Sequence, residues 1–198
     1  MDELIATAPQ AELPGGAVRS ISSLPGTRVL VVEEGFVVLR ATDPASGRGV
    51  VVCHGGPETI LPFILPSHDL VALVDSRLTV ITVELYERLL ELPEAAQALL
   101  RGVEANVRQQ QRTIVALASS HHLDRLREKL LQLAEDHGRV ARDGVLLQLP
   151  MTHELLAEMI GSARETVTRA VDALEQSGFL RRQDRGYVLR VSPGALER

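Results

Sequence analysis

Arg164, Glu165 and Arg169 combine residue types and spacing suited to reading the edges of DNA bases. A guanidinium can donate two hydrogen bonds to guanine O6 and N7, and a carboxylate can accept from the amino group of cytosine. Each good bidentate pair discriminates its base by about 1–3 kcal/mol. On a helix, positions 165 and 169 lie one turn apart with 164 beside them, so the three share one polar face. Ser162 and Thr166 place short hydroxyls near the start of the same helix, where they suit phosphate oxygens.

These residues lie within Met151–Leu180, MTHELLAEMIGSARETVTRAVDALEQSGFL, which reads as two short amphipathic helices joined at Gly161-Ser162-Ala163. Thr152 is a suitable N-cap for the first. Leu156, Ala157 and Ile160 form its inward stripe, and Ala157 is small enough for a second helix to cross closely. Gly161 can take the positive φ that a sharp reversal requires. Val167, Ala170, Val171 and Leu174 form the inward stripe of the second helix, and Gly178 stops it. The chain then reads as a hairpin, Leu180-Arg181-Arg182 and Tyr187-Val188-Leu189 around Gln183–Gly186, with Arg182 and Arg185 near its tip against a phosphate backbone. Helix, turn, helix and basic wing together would carry the front of the second helix into a major groove.

Other elements must position this module. Between Ala17 and Val83, apolar runs at 29–32, 36–40, 50–53, 70–74 and 78–83 alternate with Gly- and Pro-containing turns, the pattern of an antiparallel roll or barrel. A helix is expected at 83–90. Pro93 suits the first position of a longer one. There Ala96, Leu100, Val103, Val107, Gln110, Ile114 and Leu117 recur at alternating spacings of four and three, an a/d seam for two wound helices, with Gln110 as the polar interruption that specifies register. The alternative is a single helix packed on its own domain. His121-His122 marks a joint, followed by a helix from about Leu123 to His137 and a small hairpin at 139–149 around Asp143-Gly144. The resulting division is 1–92 for the roll, 93–120 for the dimerisation helix and 121–198 for the winged helix-turn-helix.

The net charge of -5 looks wrong for a DNA binder, but its distribution is uneven. Residues 1–120 hold nine Arg against fourteen acids, whereas 121–198 hold twelve of each sign, and 164–190 carry six Arg against four acids. The acidic excess therefore belongs to the N-terminal part. No apolar run reaches the roughly eighteen residues a membrane span needs, and the acidic N-terminus lacks the order of a signal peptide. With one cysteine and no internal disulfide, a cytoplasmic protein is expected.

Cys53-His54 offers a sensing alternative, a redox thiol or a metal or haem ligand. Strand neighbours point to opposite faces, so a buried structural cysteine is favoured. His54, His68, His121 and His122 read as surface or hinge residues, too scattered for a metal site. No Gly-x-Ser-x-Gly, P-loop or dinucleotide fingerprint is present, and the chain is not read as an enzyme. A DNA-independent interaction module is the remaining alternative.

The stretch Leu155–Arg169, LLAEMIGSARETVTR, closing with Leu174-Glu175-Gln176-Ser177-Gly178-Phe179-Leu180, resembles the CRP/FNR superfamily of bacterial transcription regulators. The resemblance implies an α+β chain. Its parts would be an antiparallel β-roll like a cupin or cyclic-nucleotide-binding domain, here truncated, then a long dimerisation helix and a C-terminal winged helix-turn-helix. It implies double-stranded DNA as partner, a homodimer on a two-fold operator, contact with RNA polymerase, and base reading by Arg164, Glu165 and Arg169. Thr152, His153 and Thr168 join Ser162, Thr166, Arg182 and Arg185 in the DNA-facing set. Two departures stand out: Ala163 replaces a serine and His153 an arginine. The stretch Gly56–Asp69 contains no arginine to meet a cyclic phosphate, so cyclic AMP is not expected, no cofactor is assigned and the effector is unknown.

Overall fold

The computed structural model describes residues 5, 7–62, 64–118 and 121–191. They fall into two compact units, Met1–Gln111 and Arg112–Arg198, with the border inside one long helix.

The first unit is built on eight strands: β1 (Gln10–Leu13), β2 (Val18–Ser20), β3 (Thr27–Glu34), β4 (Val37–Thr42), β5 (Gly49–Gly55), β6 (Ile60–Leu61), β7 (His68–Ala72) and β8 (Ser76–Thr82). They make two four-stranded antiparallel sheets, ordered β1-β8-β3-β6 and β2-β7-β4-β5. Leu30 and Val32 of β3 join Leu39, Cys53, Leu70 and Leu78 in the core between the sheets. Their strand neighbours Val29 and Val31 face the other way, toward helix α1 (Val83–Leu90) and the start of α2 (Pro93–Leu117), with Ile81, Leu89, Ala95 and Leu99. An uninterrupted apolar run here marks a strand covered on both faces. The sequence reading placed no strand at β1, β2 or β6. All three are sheet edges of four residues or fewer; β1 alternates polar with apolar residues, and β2 has a single apolar residue.

Helix α2 is fastened to this unit by polar side chains. Gly102 lies against Ile60 so closely that an added Cβ would stand 2.6 Å from the Ile60 Cβ. One turn on, Asn106 Nδ2 donates to the Ile60 carbonyl at 2.7 Å and to that of Gly102 at 3.1 Å. Gln109 meets β5 at its open edge: its Oε1 accepts from the His54 amide and its Nε2 donates to the His54 carbonyl, both at 3.1 Å. The side-chain amide thereby pairs with the strand as another backbone would.

The second unit contains α3 (His122–His137), β9 (Arg139–Ala141), β10 (Gly144–Leu147), α4 (His153–Ile160), α5 (Arg164–Gln176), β11 (Leu180–Gln183) and β12 (Gly186–Leu189). Its strands form one antiparallel sheet in the order β11-β12-β10-β9. Leu126, Leu130 and Leu133 of α3, Leu156 of α4, Val167 and Val171 of α5, and Leu147, Leu180 and Leu189 of the sheet are sealed from solvent. Each such aliphatic side chain contributes about 1.5–3 kcal/mol of burial. Lys129 of α3 is buried beside Thr113 of α2, its Nζ donating to Oγ1 at 3.2 Å, and burial draws its pKa down to about 8. Among the described residues no helix is long and apolar enough to cross a membrane.

Candidate nucleic-acid interface

The two short helices are joined as their sequence dictates. Thr152 caps α4 by accepting from the Leu155 amide at 3.1 Å. Gly161 follows α4 with φ 60° and ψ 49°, the left-handed conformation that a Cβ disfavours. Leu156, Ala157 and Ile160 on α4, and Val167, Ala170, Val171 and Leu174 on α5, are all buried. This inward set forces the remaining face of α5 outward.

That outward face carries Arg164, Glu165 and Arg169, all exposed. Among the described residues none of their side chains takes part in a hydrogen bond or ion pair. A surface pairing of Arg169 with Asp172 is not formed; Asp172 and Glu175 both bind the Arg182 guanidinium from the wing. The wing is the β11–β12 hairpin, with Asp184 at φ 47° in its turn and Arg185 exposed beside it. Arg182 is thus a cation already shared by two carboxylates one turn apart on α5, whereas Arg185 projects at the tip.

The hydroxyls are distributed differently from the sequence expectation. Ser162 was expected to face phosphate, but it is buried and its Oγ lies 2.9 Å from Nδ1 of His122 on α3. Its position directly after the left-handed Gly161 turns it inward, against the helix beneath. Thr166 is half-buried. Thr168 donates to the Arg164 carbonyl at 3.0 Å, and its oxygen also lies 2.8 Å from Nδ1 of His153. The ring of His153 therefore stands at the junction of α4 and α5, half-exposed. Burial is the main cause that lowers its pKa, with Arg182 and Arg164 acting in the same direction and Asp172 against them.

Sequence reasoning missed two supports. The 139–149 hairpin extends the wing sheet, because β10 pairs with β12. Arg127 of α3 stacks its guanidinium over Phe179 at 4.9 Å, fixing the turn into the wing. The spacing of Arg127 and Phe179, 52 positions apart, carries no local signal.

On α2 the seam residues Leu100, Val107, Gln110, Ile114 and Leu117 are exposed or partly so and Val103 is half-buried. The polar residues that face the chain's own roll are Asn106 and Gln109, the latter one position from the expected Gln110. Two histidine expectations are corrected. His54 and His68 are buried, not surface residues: His54 stacks on Phe36 with ring centroids 5.9 Å apart, and Nδ1 of His68 accepts from the Leu65 amide at 3.3 Å. Cys53 points into the inter-sheet core while His54 faces Gln109, and burial pushes the thiol up to about 12. Among the described residues no group of three His, Cys, Asp or Glu is placed to hold a metal.

A buried helix-turn-helix with an outward, unpaired Arg/Glu/Arg face and an adjoining basic hairpin defines a winged helix-turn-helix, a DNA-binding module. Residues 124–198 match the family model described as the Crp-like helix-turn-helix domain. The chain is 37% identical over 92 residues to the global nitrogen regulator of Synechococcus elongatus, a match spanning 46% of this chain and 41% of that protein. The chain spans less than half the length of such curated relatives. Among solved structures, a CRP/FNR-family transcriptional regulator of Thermus thermophilus superposes with TM-score 0.65 at 25% identity, covering 96% of each chain. A mutant of CooA from Carboxydothermus hydrogenoformans shares the fold, with TM-score 0.78 at 18% identity over 98% of this chain and 88% of that one. Residues 124–198 thus carry a Crp-like helix-turn-helix domain, and the chain shares its fold with CRP/FNR-family transcriptional regulators.

Proposed function

We propose that this chain regulates transcription by binding a two-fold DNA operator as a homodimer, without a cyclic nucleotide. The observation that carries the reading is the outward face of α5, where Arg164, Glu165 and Arg169 are exposed and, among the described residues, make no hydrogen bond or ion pair. Side chains of this kind gain full hydrogen bonding only when a partner of matching donors and acceptors arrives, and base edges in a major groove supply that match. Thr152, His153, Thr166, Thr168 and Arg185 surround this face as phosphate-contact candidates. Arg182 would reach phosphate only by exchanging at least one of its carboxylates.

Dimerisation is supported by the exposed apolar stripe of α2. Leu100 is 58% exposed and Ile114 66%, values that suit a seam awaiting a second copy. With two copies, two recognition helices would enter successive major grooves about 34 Å apart. RNA polymerase is a further partner that rests on the family resemblance alone.

Independence from cyclic nucleotides is supported by the absence of arginine between Gly56 and Asp69. Arg40, on the strand paired with β7, is bound to Asp69 at 3.2 Å. Redox sensing at Cys53 is disfavoured by its burial and raised pKa, since the thiolate is the reactive form. Selection of duplexes from a random pool by the purified chain, with no ligand added, tests the reading. A two-fold consensus supports it; failure to enrich any sequence overturns it.

A further inference from the structure

One ring at the edge of the reading face has its hydrogen bonding decided by a neighbour. The Thr168 hydroxyl owns a single proton, and it donates that proton to the Arg164 carbonyl, which can only accept. With that donation kept, the Thr168 oxygen is an acceptor toward His153 Nδ1, 2.8 Å away, and the arrangement assigns the hydrogen to Nδ1. A neutral ring so arranged has a bare lone pair at Nε2. Only the imidazolium has a second N–H to offer there.

A DNA phosphate is an acceptor with no proton of its own at neutral pH. The neutral ring would set a lone pair against its oxygens, whereas the charged ring would make a charge-assisted hydrogen bond. We propose that His153 is a proton-dependent phosphate contact, its tautomer fixed by Thr168, so that operator binding by this chain is coupled to proton uptake. The inference rests on the DNA-binding reading above and adds a form of regulation to the same surface.

The groups facing the ring agree with this. From α5 come Arg164 and Asp172, and from β11 comes Arg182, itself tied to Asp172 and Glu175. Burial and the two arginines favour the uncharged ring in the free protein. An arriving phosphate opposes both arginines at once and favours the charged ring. The charged form is thus the binding form. Affinity is greatest below the pKa of the free ring, falls as pH rises through the window between the free and bound pKa values, and is level above the bound value. The limit is about tenfold per pH unit for each half-site.

The test uses the full chain and a selected duplex, with affinity read by fluorescence anisotropy at constant salt from about pH 5.5 to 8.5. The parent is expected to weaken with rising pH. His153→Arg, a permanent donor, is expected to lose that portion of the slope and to bind more tightly than the parent at the alkaline end. His153→Ala is expected to lose the same portion and bind at the parent's alkaline level. Every other ionisable group is common to all three proteins, so the difference between parent and variants isolates His153. The role of Thr168 as a positioning residue is read by nitrogen-15 NMR of the free protein, where neutral His153 should show the Nδ1–H tautomer and Thr168→Val should release it. A slope identical in the parent and both variants overturns the proposal, as does an Nε2–H tautomer. Affinity that instead rises with pH, and stops doing so in His153→Ala, also overturns it, by assigning Nε2 as acceptor from a base amino group. If the parent enriches no duplex at any pH, the DNA-binding reading fails first and this inference with it.

Discussion

Replacing Ile114 with lysine should take the protein apart as a dimer while leaving each chain folded. Ile114 is 66% exposed in the single chain and lies on the stripe with Leu100, Val107 and Leu117, so in the proposed dimer a second copy would remove it from water. Burying one such side chain is worth about 1.5–3 kcal/mol. A two-fold interface contains the position twice, which doubles the loss to about 3–6 kcal/mol, a dimer constant weaker by roughly 10²–10⁴-fold. The lysine charges add repulsion to this figure. Sedimentation velocity across a micromolar concentration series reads the shift directly, and a thermal melt followed by circular dichroism checks that the chain still folds. Ala105→Lys, also exposed but on the helix face away from the stripe, is the control and should leave the dimer intact. A parent that is monomeric throughout, or an Ile114→Lys protein that dimerises like the parent, refutes the assignment of this face.

Arg169→Ala should reduce preference for the selected site by about 1–3 kcal/mol per half-site while barely changing affinity for unrelated duplexes; a uniform loss on all sequences would reassign Arg169 to phosphate. Lys129→Met should raise the thermal midpoint at pH 7. The folded pKa of Lys129, about 8, lies below its ordinary 10.5, so the unfolded chain binds more protons between those values and the parent's stability rises with pH across that window. The gap between parent and variant should therefore be widest below pH 8 and narrow toward 10.5, and a gap independent of pH would show that the buried amine is not the cause. Cys53, 2% exposed with its thiol pushed up to about 12, should resist alkylation in the folded protein and react once denatured, as measured by mass spectrometry; rapid native labelling would reopen the redox reading.

The module that touches DNA was legible because its constraints are local. The cap at Thr152, the left-handed Gly161 and two inward stripes at helical spacing lie within a single run of residues, so propensity, turn chemistry and periodicity agree. The starts of α1 and α2 were equally plain, the longer one marked by Pro93 and the apolar period. What stayed hidden depends on partners distant in sequence. Ser162 reads as a surface hydroxyl until His122, 40 positions earlier, is packed beneath it. His54 reads as a surface or hinge histidine until Phe36 and Gln109 cover it. Arg182 reads as a free wing cation until α5 places Asp172 and Glu175 one turn apart in its reach. The edge strands β1, β2 and β6 are too short for a period to be visible, and they form because β8, β7 and β3 offer them unpaired backbone.

Helix α2 ties the proposed dimer seam to the sheet edge in a way that needs no charged pocket. One face, Gly102, Asn106 and Gln109, is joined to β5 and β6 by close packing and by hydrogen bonds to backbone atoms. The opposite flank presents Leu100, Val103 and Val107. Hydrogen bonds weaken steeply as donor and acceptor lose alignment, and Gln109 holds both backbone groups of His54 at once, so β5 cannot slide relative to the helix without breaking the pair. Gly102 leaves no room for the helix to approach further. The segment between β5 and β6 is thus joined to α2 on either side, by Gln109 at His54 and by Asn106 at Ile60. The Asn106 bond lands within the arginine-free stretch Gly56–Asp69, and the Gln109 pair holds the end of the strand that leads into it, so α2 is anchored there through backbone atoms and not through a charged side chain.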